Sequence, residues 1–307
     1  MSQPTRITPW YYYVLAAPLL ALAHLPLWAL YGLARIIYVL LAYVVRYRQK
    51  VVLDNLRHAF PEKTEAEVRT IGRRFYWHFA QVLVEILKLA AISPVELSRR
   101  MRFTNPGVLL RPLAERRLVL VLGSHLGNWE WILARAGALF PGWVAGVYKV
   151  LSNKFFEWFM RRLRTRLGPE AVPMQSTLRY LVQHRGTGHT VSLLLDQAAG
   201  PDDRPYWTEF LHRDAGFYTS ADRLAPQFEA MVLYVGIRRE RLGHYAITFA
   251  ELPEGPLLSV APTAPDIFRF PATEAFVRHL EEDIRATPEQ YLWTHRRWKH
   301  VRSSSDK

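Results

Sequence analysis

An uncharged apolar stretch opens the chain. Residues 7–34 contain no Asp, Glu, Lys or Arg. At about 1.5 Å per residue they are long enough to cross a bilayer as one helix. Trp10, Tyr11, Tyr12 and Tyr13 suit one interface, Pro18 and Pro26 introduce kinks, and His24 is a polar interruption. A buried or surface-lying helix is the competing reading. A signal peptide fits less well, because the stretch is long and no cleavage site follows cleanly. Residues 36–45 are apolar again and suited to lie along an interface. Arg35, Arg46, Arg48 and Lys50 follow the first stretch, against Arg6 before it. If that stretch spans, this bias predicts a main domain in the cytoplasm. The pattern divides the chain into an anchor, 1–45, and a main domain, 46–307.

Beyond residue 60 the period changes. Thr64 and Glu67 form a capping-box pair that opens a helix expected to reach Ala91. Phe75, Phe79, Val82 and Ile86 are its core candidates, and His78 and Glu85 share one face as structural residues. Ser93-Pro94 starts a short helix, Asn105-Pro106-Gly107 is a turn, and 108–115 is helical. Short apolar runs then alternate with amphipathic segments. Strands are expected at 118–122, 144–148, 191–195, 231–237 and 245–251. Helices are expected at 129–138, 153–167, 177–184, 218–227 and 273–286. The Pro-rich span 253–271 reads as a loop. The alternation predicts an α/β fold: a mixed sheet flanked by helices, with an N-terminal membrane helix.

Composition narrows the chemistry. The 307 residues include no cysteine, which excludes disulfides, thiolate metal sites and a cysteine nucleophile. The formal charge of +13 points to a polyanionic partner, and ten Trp with 15 Tyr suit a membrane interface. No P-loop, Rossmann fingerprint, G-x-S-x-G elbow or H-E-x-x-H occurs. No site has metal-ligand spacing and no cofactor is expected. No nucleic-acid module accompanies the charge.

The chain is organised around LVLVLGSHLGNWEWIL, residues 118–133. A buried strand, a glycine-flanked turn and a helix capped by Asn128 place His125 at the carboxyl edge of a sheet, where α/β proteins bind ligands. Five residues separate His125 from Glu130. On an ideal helix they would not share a face, so they meet only if the backbone bends, and Gly127 permits a bend. A carboxylate in contact would fix the imidazole tautomer and make His125 a general base. Composition alone yields about one such spacing in a chain of this kind, so a surface His beside an unrelated carboxylate is the bland alternative. The strand and the glycines favour the functional one. Two further features are candidates for binding. The 153–167 helix carries Arg161, Arg162, Arg164 and Arg166, a solvated face or a clamp for phosphate or carboxylate. Asp196-Gln197 follows the 191–195 strand as a turn or as a second wall of the crevice.

The ordered set of motifs resembles the bacterial lipid A late acyltransferases, within the glycerolipid and lysophospholipid acyltransferase superfamily. The set comprises the hydrophobic start, DNLRHAFPE at 54–62, GSHLGNWE at 123–130, Tyr148-Lys149, RTRLG at 164–168, Asp196-Gln197 and the LWTHRRWK tail. The resemblance implies His125 as general base with Glu130 as its partner. It implies direct attack of an acceptor hydroxyl on the thioester of an acyl carrier protein or coenzyme A donor, without an acyl-enzyme. It also implies that Asn128, Arg164, Arg166 and Asp196 bind or position substrate. The acceptor would be a lipid A precursor and the setting the inner membrane, with the catalytic part on the cytoplasmic side. One departure stands out: where the family commonly has a glycine after an aromatic residue, this chain has Leu211 and His212 after Phe210. That region is expected to shape the acceptor or acyl pocket. An acyltransferase for another glycolipid, glycerophospholipid or amino-acid lipid, and a non-catalytic membrane-surface binder, are the alternatives.

Overall fold

The computed structural model describes residues 8–254 and 269–302. Arg6, Ile7 and most of the Pro-rich 253–271 span lie outside them.

Helices α1 (Trp10–His24) and α2 (Leu27–Val39) are two separate elements rather than one spanning helix. The break falls at Leu25-Pro26, where proline removes a backbone donor and clashes with the preceding turn. The carbonyls of Ala23 and Leu25 that the break leaves unpaired are met by the buried Lys88 ammonium at 3.1 and 2.8 Å. α1 alone is too short to cross a bilayer, at about 22 Å. The segment long and apolar enough is instead Leu27–Val44, mean hydropathy 1.8, where α2 runs on into a π-helical turn, Leu40–Val44. Residues 36–45 therefore continue the helix, most of them as part of that segment. Both helices are docked, with Ala16, Leu30 and Ala34 buried against the body of the protein.

Helix α3 (Gln49–Ala59) leads to α4 (Glu65–Lys88), which opens with the expected reciprocal Thr64–Glu67 cap. After α5 (Pro94–Arg100), β1 (Met101–Phe103) and α6 (Gly107–Ala114) comes the central unit, β2 (Val119–Gly123) and α7 (Trp129–Leu139). There follow β3 (Val144–Tyr148), α8 (Lys154–Thr165), β4 (Glu170–Pro173), α9 (Thr177–Gln183) and β5 (Thr190–Leu194). The chain then forms β6 (Tyr206–Phe210), β7 (Arg213–Phe217), α10 (Ser220–Phe228), β8 (Met231–Arg241), β9 (His244–Leu252) and α11 (Pro271–Ala286).

Among the described residues, seven strands make one sheet in the order β1-β9-β8-β2-β5-β3-β4, parallel except for the β8–β9 pair. β2 lies in its middle with all five residues buried. The α/β fold with a mixed sheet is the one the alternation predicts. The β6–β7 hairpin is a separate unit that the pattern does not reveal. Its turn uses Leu211 and His212, both in the left-handed region (φ 50° and 65°), where Asn and Gly are the usual residues. The cost is offset locally. The Leu211 side chain is fully buried, and its N–H donates to Glu281 Oε1 at 2.6 Å.

Candidate active site

Register brings the reacting groups together. β2 and β5 run parallel with Gly123 opposite Leu194. His125 and Asp196 each lie two residues past that pair, so both emerge on the same sheet edge. His125 Nδ1 and Asp196 Oδ1 are 2.8 Å apart. The carboxylate accepts the Nδ1 proton, leaving Nε2 as the basic nitrogen of the neutral ring. Gln197 lies 3.5 Å from Nε2, and Trp129 packs edge-on at 5.0 Å between ring centroids.

The loop is held from outside. Gly127 adopts φ +57°, and a Cβ there would press on Ile237 at 3.1 Å. Its N–H donates to the Gln290 carbonyl, and the His125 carbonyl accepts from Leu292 N. The Tyr291 hydroxyl reaches the Asp196 carbonyl at 3.4 Å, and His295 accepts from Ala198 N at 3.2 Å. The C-terminal tail thus clasps both halves of the pair. Burial pushes His295 down to about 4, so its neutral ring can accept that bond.

The His125–Glu130 contact expected from the spacing is not made. The helix starts at Trp129 and turns Glu130 towards α8, where Arg164 grips the carboxylate. Arg164 Nε lies 2.9 Å from Oε2, and the terminal nitrogen lies 2.5 Å from Oε1. The bend at Gly127 aims His125 at Asp196 instead. Asp196 is therefore the imidazole's hydrogen-bond partner. The signal that could have found it is its offset from the strand end, which matches that of His125.

The electrostatics follow the geometry. Burial alone would depress the His125 pKa, but the charge and hydrogen bond of Asp196, with the more remote charge of Glu130, raise it above the ordinary value. Arg164 works against that rise. Asp196 is 2% exposed; burial pulls its pKa up, and the imidazolium charge and hydrogen bonds outweigh it and hold it below the ordinary carboxylate range.

Two more expected site residues are internal. Asn128 is fully buried; its Oδ1 accepts from Trp131 N and its amide donates to Glu85 Oε2. It caps α7 and presents nothing to a substrate. Arg166 donates to the carbonyls of Leu89 and Ile92, just past the end of α4. The Arg166 guanidinium therefore serves orphaned helix carbonyls rather than a phosphate. Arg164 keeps a partly exposed edge beside the Tyr148 ring.

Glu85, read from the sequence as structural, is the hub of this support. It is fully buried and accepts from Tyr31, Asn128 and Tyr245, each at 2.8 Å. Desolvation raises its pKa over the opposing effect of those bonds. His78, also buried, takes a 3.1 Å contact from Arg239, and burial pushes its pKa down to about 3.

Residues 2–300 match the family described as bacterial lipid A biosynthesis acyltransferase. Among curated relatives, the chain is 24% identical over 257 residues to the lipid A biosynthesis lauroyltransferase of Escherichia coli K12. The match covers 83% of this chain and 80% of that protein. It is 25% identical over 258 residues, with the same coverage, to the palmitoleoyltransferase of the same organism and to a lipid A biosynthesis acyltransferase of Shigella flexneri. The family match spans nearly the whole chain, and the chain belongs to the bacterial lipid A biosynthesis acyltransferase family.

Proposed function

We propose that the protein is a membrane-associated O-acyltransferase. It moves a fatty acyl chain from an acyl thioester, on an acyl carrier protein or coenzyme A, to a hydroxyl of a lipid A precursor. The single observation that carries the mechanism is the 2.8 Å His125–Asp196 pair, which leaves Nε2 unprotonated, beside the Gln197 amide. The acceptor hydroxyl gives its proton to Nε2 as its oxygen attacks the thioester carbonyl. The tetrahedral intermediate collapses with cleavage of the C–S bond. The imidazolium then returns the proton to the thiolate, giving ester and free thiol. Asp196 holds the ring and stabilises the imidazolium. The charge of Glu130 favours the protonated base, that of Arg164 opposes it, and the ion pair fixes Arg164 at the edge of the site.

The membrane association rests on the two N-terminal helices. Trp10 and Trp28 are 75% and 78% exposed, and Ile36, Val39, Val44 and Val45 also face outward. Such an apolar surface is unusual in water and ordinary in lipid. In this reading 1–45 attaches the protein to the inner membrane and 46–307 catalyses on the cytoplasmic side. The test is transfer from a labelled acyl thioester to purified lipid A precursor, comparing wild type with His125→Ala in the same membranes. Loss of about 10²–10⁴-fold is expected. Undiminished transfer by the variant would sink the mechanism, and labelling of other lipids alone would replace the acceptor.

A further inference from the structure

With Arg164 held by Glu130 and Arg166 turned inward, neither arginine is free to bind phosphate alone. The unneutralised cations gather elsewhere. A cleft of about 610 Å³ opens between α3, the start of β7 and the C-terminal tail. Lys50, Arg57, Arg213, Arg296 and Lys299 line it, with Asp54 its one acid. Arg57 is neutralised by Glu65 at 2.8 Å, and Asp54 lies 3.8 Å from Arg213. Lys50, Arg296 and Lys299 have no ion-pair partner among the described residues. Trp298 forms a wall. It stacks on Phe210 and carries the Arg213 guanidinium 5.2 Å above its ring, and its buried indole N–H has no acceptor among the described residues. Cations brought together without a counter-charge repel one another, so the cleft favours an anion.

The cleft shares a wall with the catalytic pair. From α3, Asn55 donates to the carbonyls of Trp293 and His295, both at 2.9 Å, and Arg48 donates to Thr294. His295 in turn takes the N–H of Ala198, two residues past Asp196. One thickness of tail thus separates the cations from the loop that carries the reacting edge.

We propose that this cleft binds a phosphoryl group at the end of a substrate remote from the reacting hydroxyl or thioester. The inference rests on the acyl-transfer reading above and adds the class of group recognised. Arginine forks and lysine ammonium groups recognise phosphate through charge-assisted hydrogen bonds. The phosphate can belong to the acceptor or to the donor, and kinetics separate the two.

The test uses the full chain in detergent and the doubly substituted Arg296→Ala, Lys299→Ala protein. Both side chains are exposed, so the fold is spared. First, pyrophosphate is titrated at constant ionic strength and followed by phosphorus NMR line broadening. Wild type should bind at least about tenfold more tightly than the variant, as expected for lost charge-assisted bonds. This arm needs no acyl transfer, so it stands or falls apart from the catalytic reading. Second, initial rates are measured with each substrate varied. The loss should fall in KM rather than kcat, again about tenfold or more. If the acceptor KM rises and removal of its phosphate abolishes the difference, the acceptor supplies the group; if the donor KM rises, the donor does. Equal pyrophosphate binding by the two proteins, or unchanged KM for both substrates, would overturn the proposal.

Discussion

Asp196 and Glu85 are both buried carboxylates, 2% and 0% exposed, and their surroundings drive them in opposite directions. Asp196 faces an imidazole that can carry charge, and its pKa falls despite burial. Glu85 accepts from two phenols and a primary amide, all neutral, with the Arg239 charge acting from further off, and burial raises its pKa over them all. Neutral donors soften desolvation without cancelling it, whereas a partner that can become a cation reverses it. The first carboxylate is suited to proton chemistry. The second is suited to hold helices together.

The contrast is broken most forcefully by removing charge at each site in turn. Asp196→Asn should lower kcat by about 10³–10⁴-fold, because an amide can stabilise the wrong imidazole tautomer and no longer supports the imidazolium. Glu85→Gln should leave acyl transfer within a few-fold, since the Tyr31 hydroxyl can turn to accept from the new amide. Equal losses in the two variants, measured as single-turnover rates, would erase the distinction.

Stability sharpens it from the other side. Glu85→Leu strands the Tyr31, Asn128 and Tyr245 donors in the core. It should cost about 3–5 kcal/mol, at about 1–3 kcal/mol for each unsatisfied group with partial relaxation. Glu85→Gln should cost far less. Because the native pKa of Glu85 is raised, its contribution is full below the unfolded value of about 4.3 and is lost as pH rises through the native value. Thermal melts across that range should show the loss in wild type and a flatter profile in Glu85→Gln.

The smallest effect is a displacement of the acid limb. His125 must be neutral to act, and its raised pKa puts the limb of kcat/KM above about pH 6.5. In Asp196→Asn the largest raising influence is gone, so the limb of the residual activity should move to lower pH. A limb that stays in place would separate His125 from Asp196.

The central strand, its turn and the helix after it were legible because burial, glycine placement and capping are local. The wrong partner for His125 came from reading along the chain. Glu130 is near in sequence, whereas Asp196 is brought in by parallel register across 71 residues. The N-terminal stretch read as one helix because its composition is uniform. What divides it is Pro26 together with Lys88, whose link to Leu25 spans 63 residues. Arg166 sat in a run of arginines, and nothing local says that it reaches two helix-end carbonyls. The β6–β7 turn escaped notice because Leu211 and His212 occupy left-handed positions that the buried leucine compensates.

The link between Tyr31 and Glu85 also bears on how the protein is made. α1 and α2 leave the ribosome before α4, and α4, which packs on both, is complete only at Lys88. At about 5–20 residues per second, roughly 3–11 s separate the emergence of Ala34 from that of Lys88. During that interval the faces of Leu30 and Ala34 that α4 will cover lie open. The Glu85 hub closes later still, because Tyr245 must also emerge, so the sheet is completed against helices made well before it.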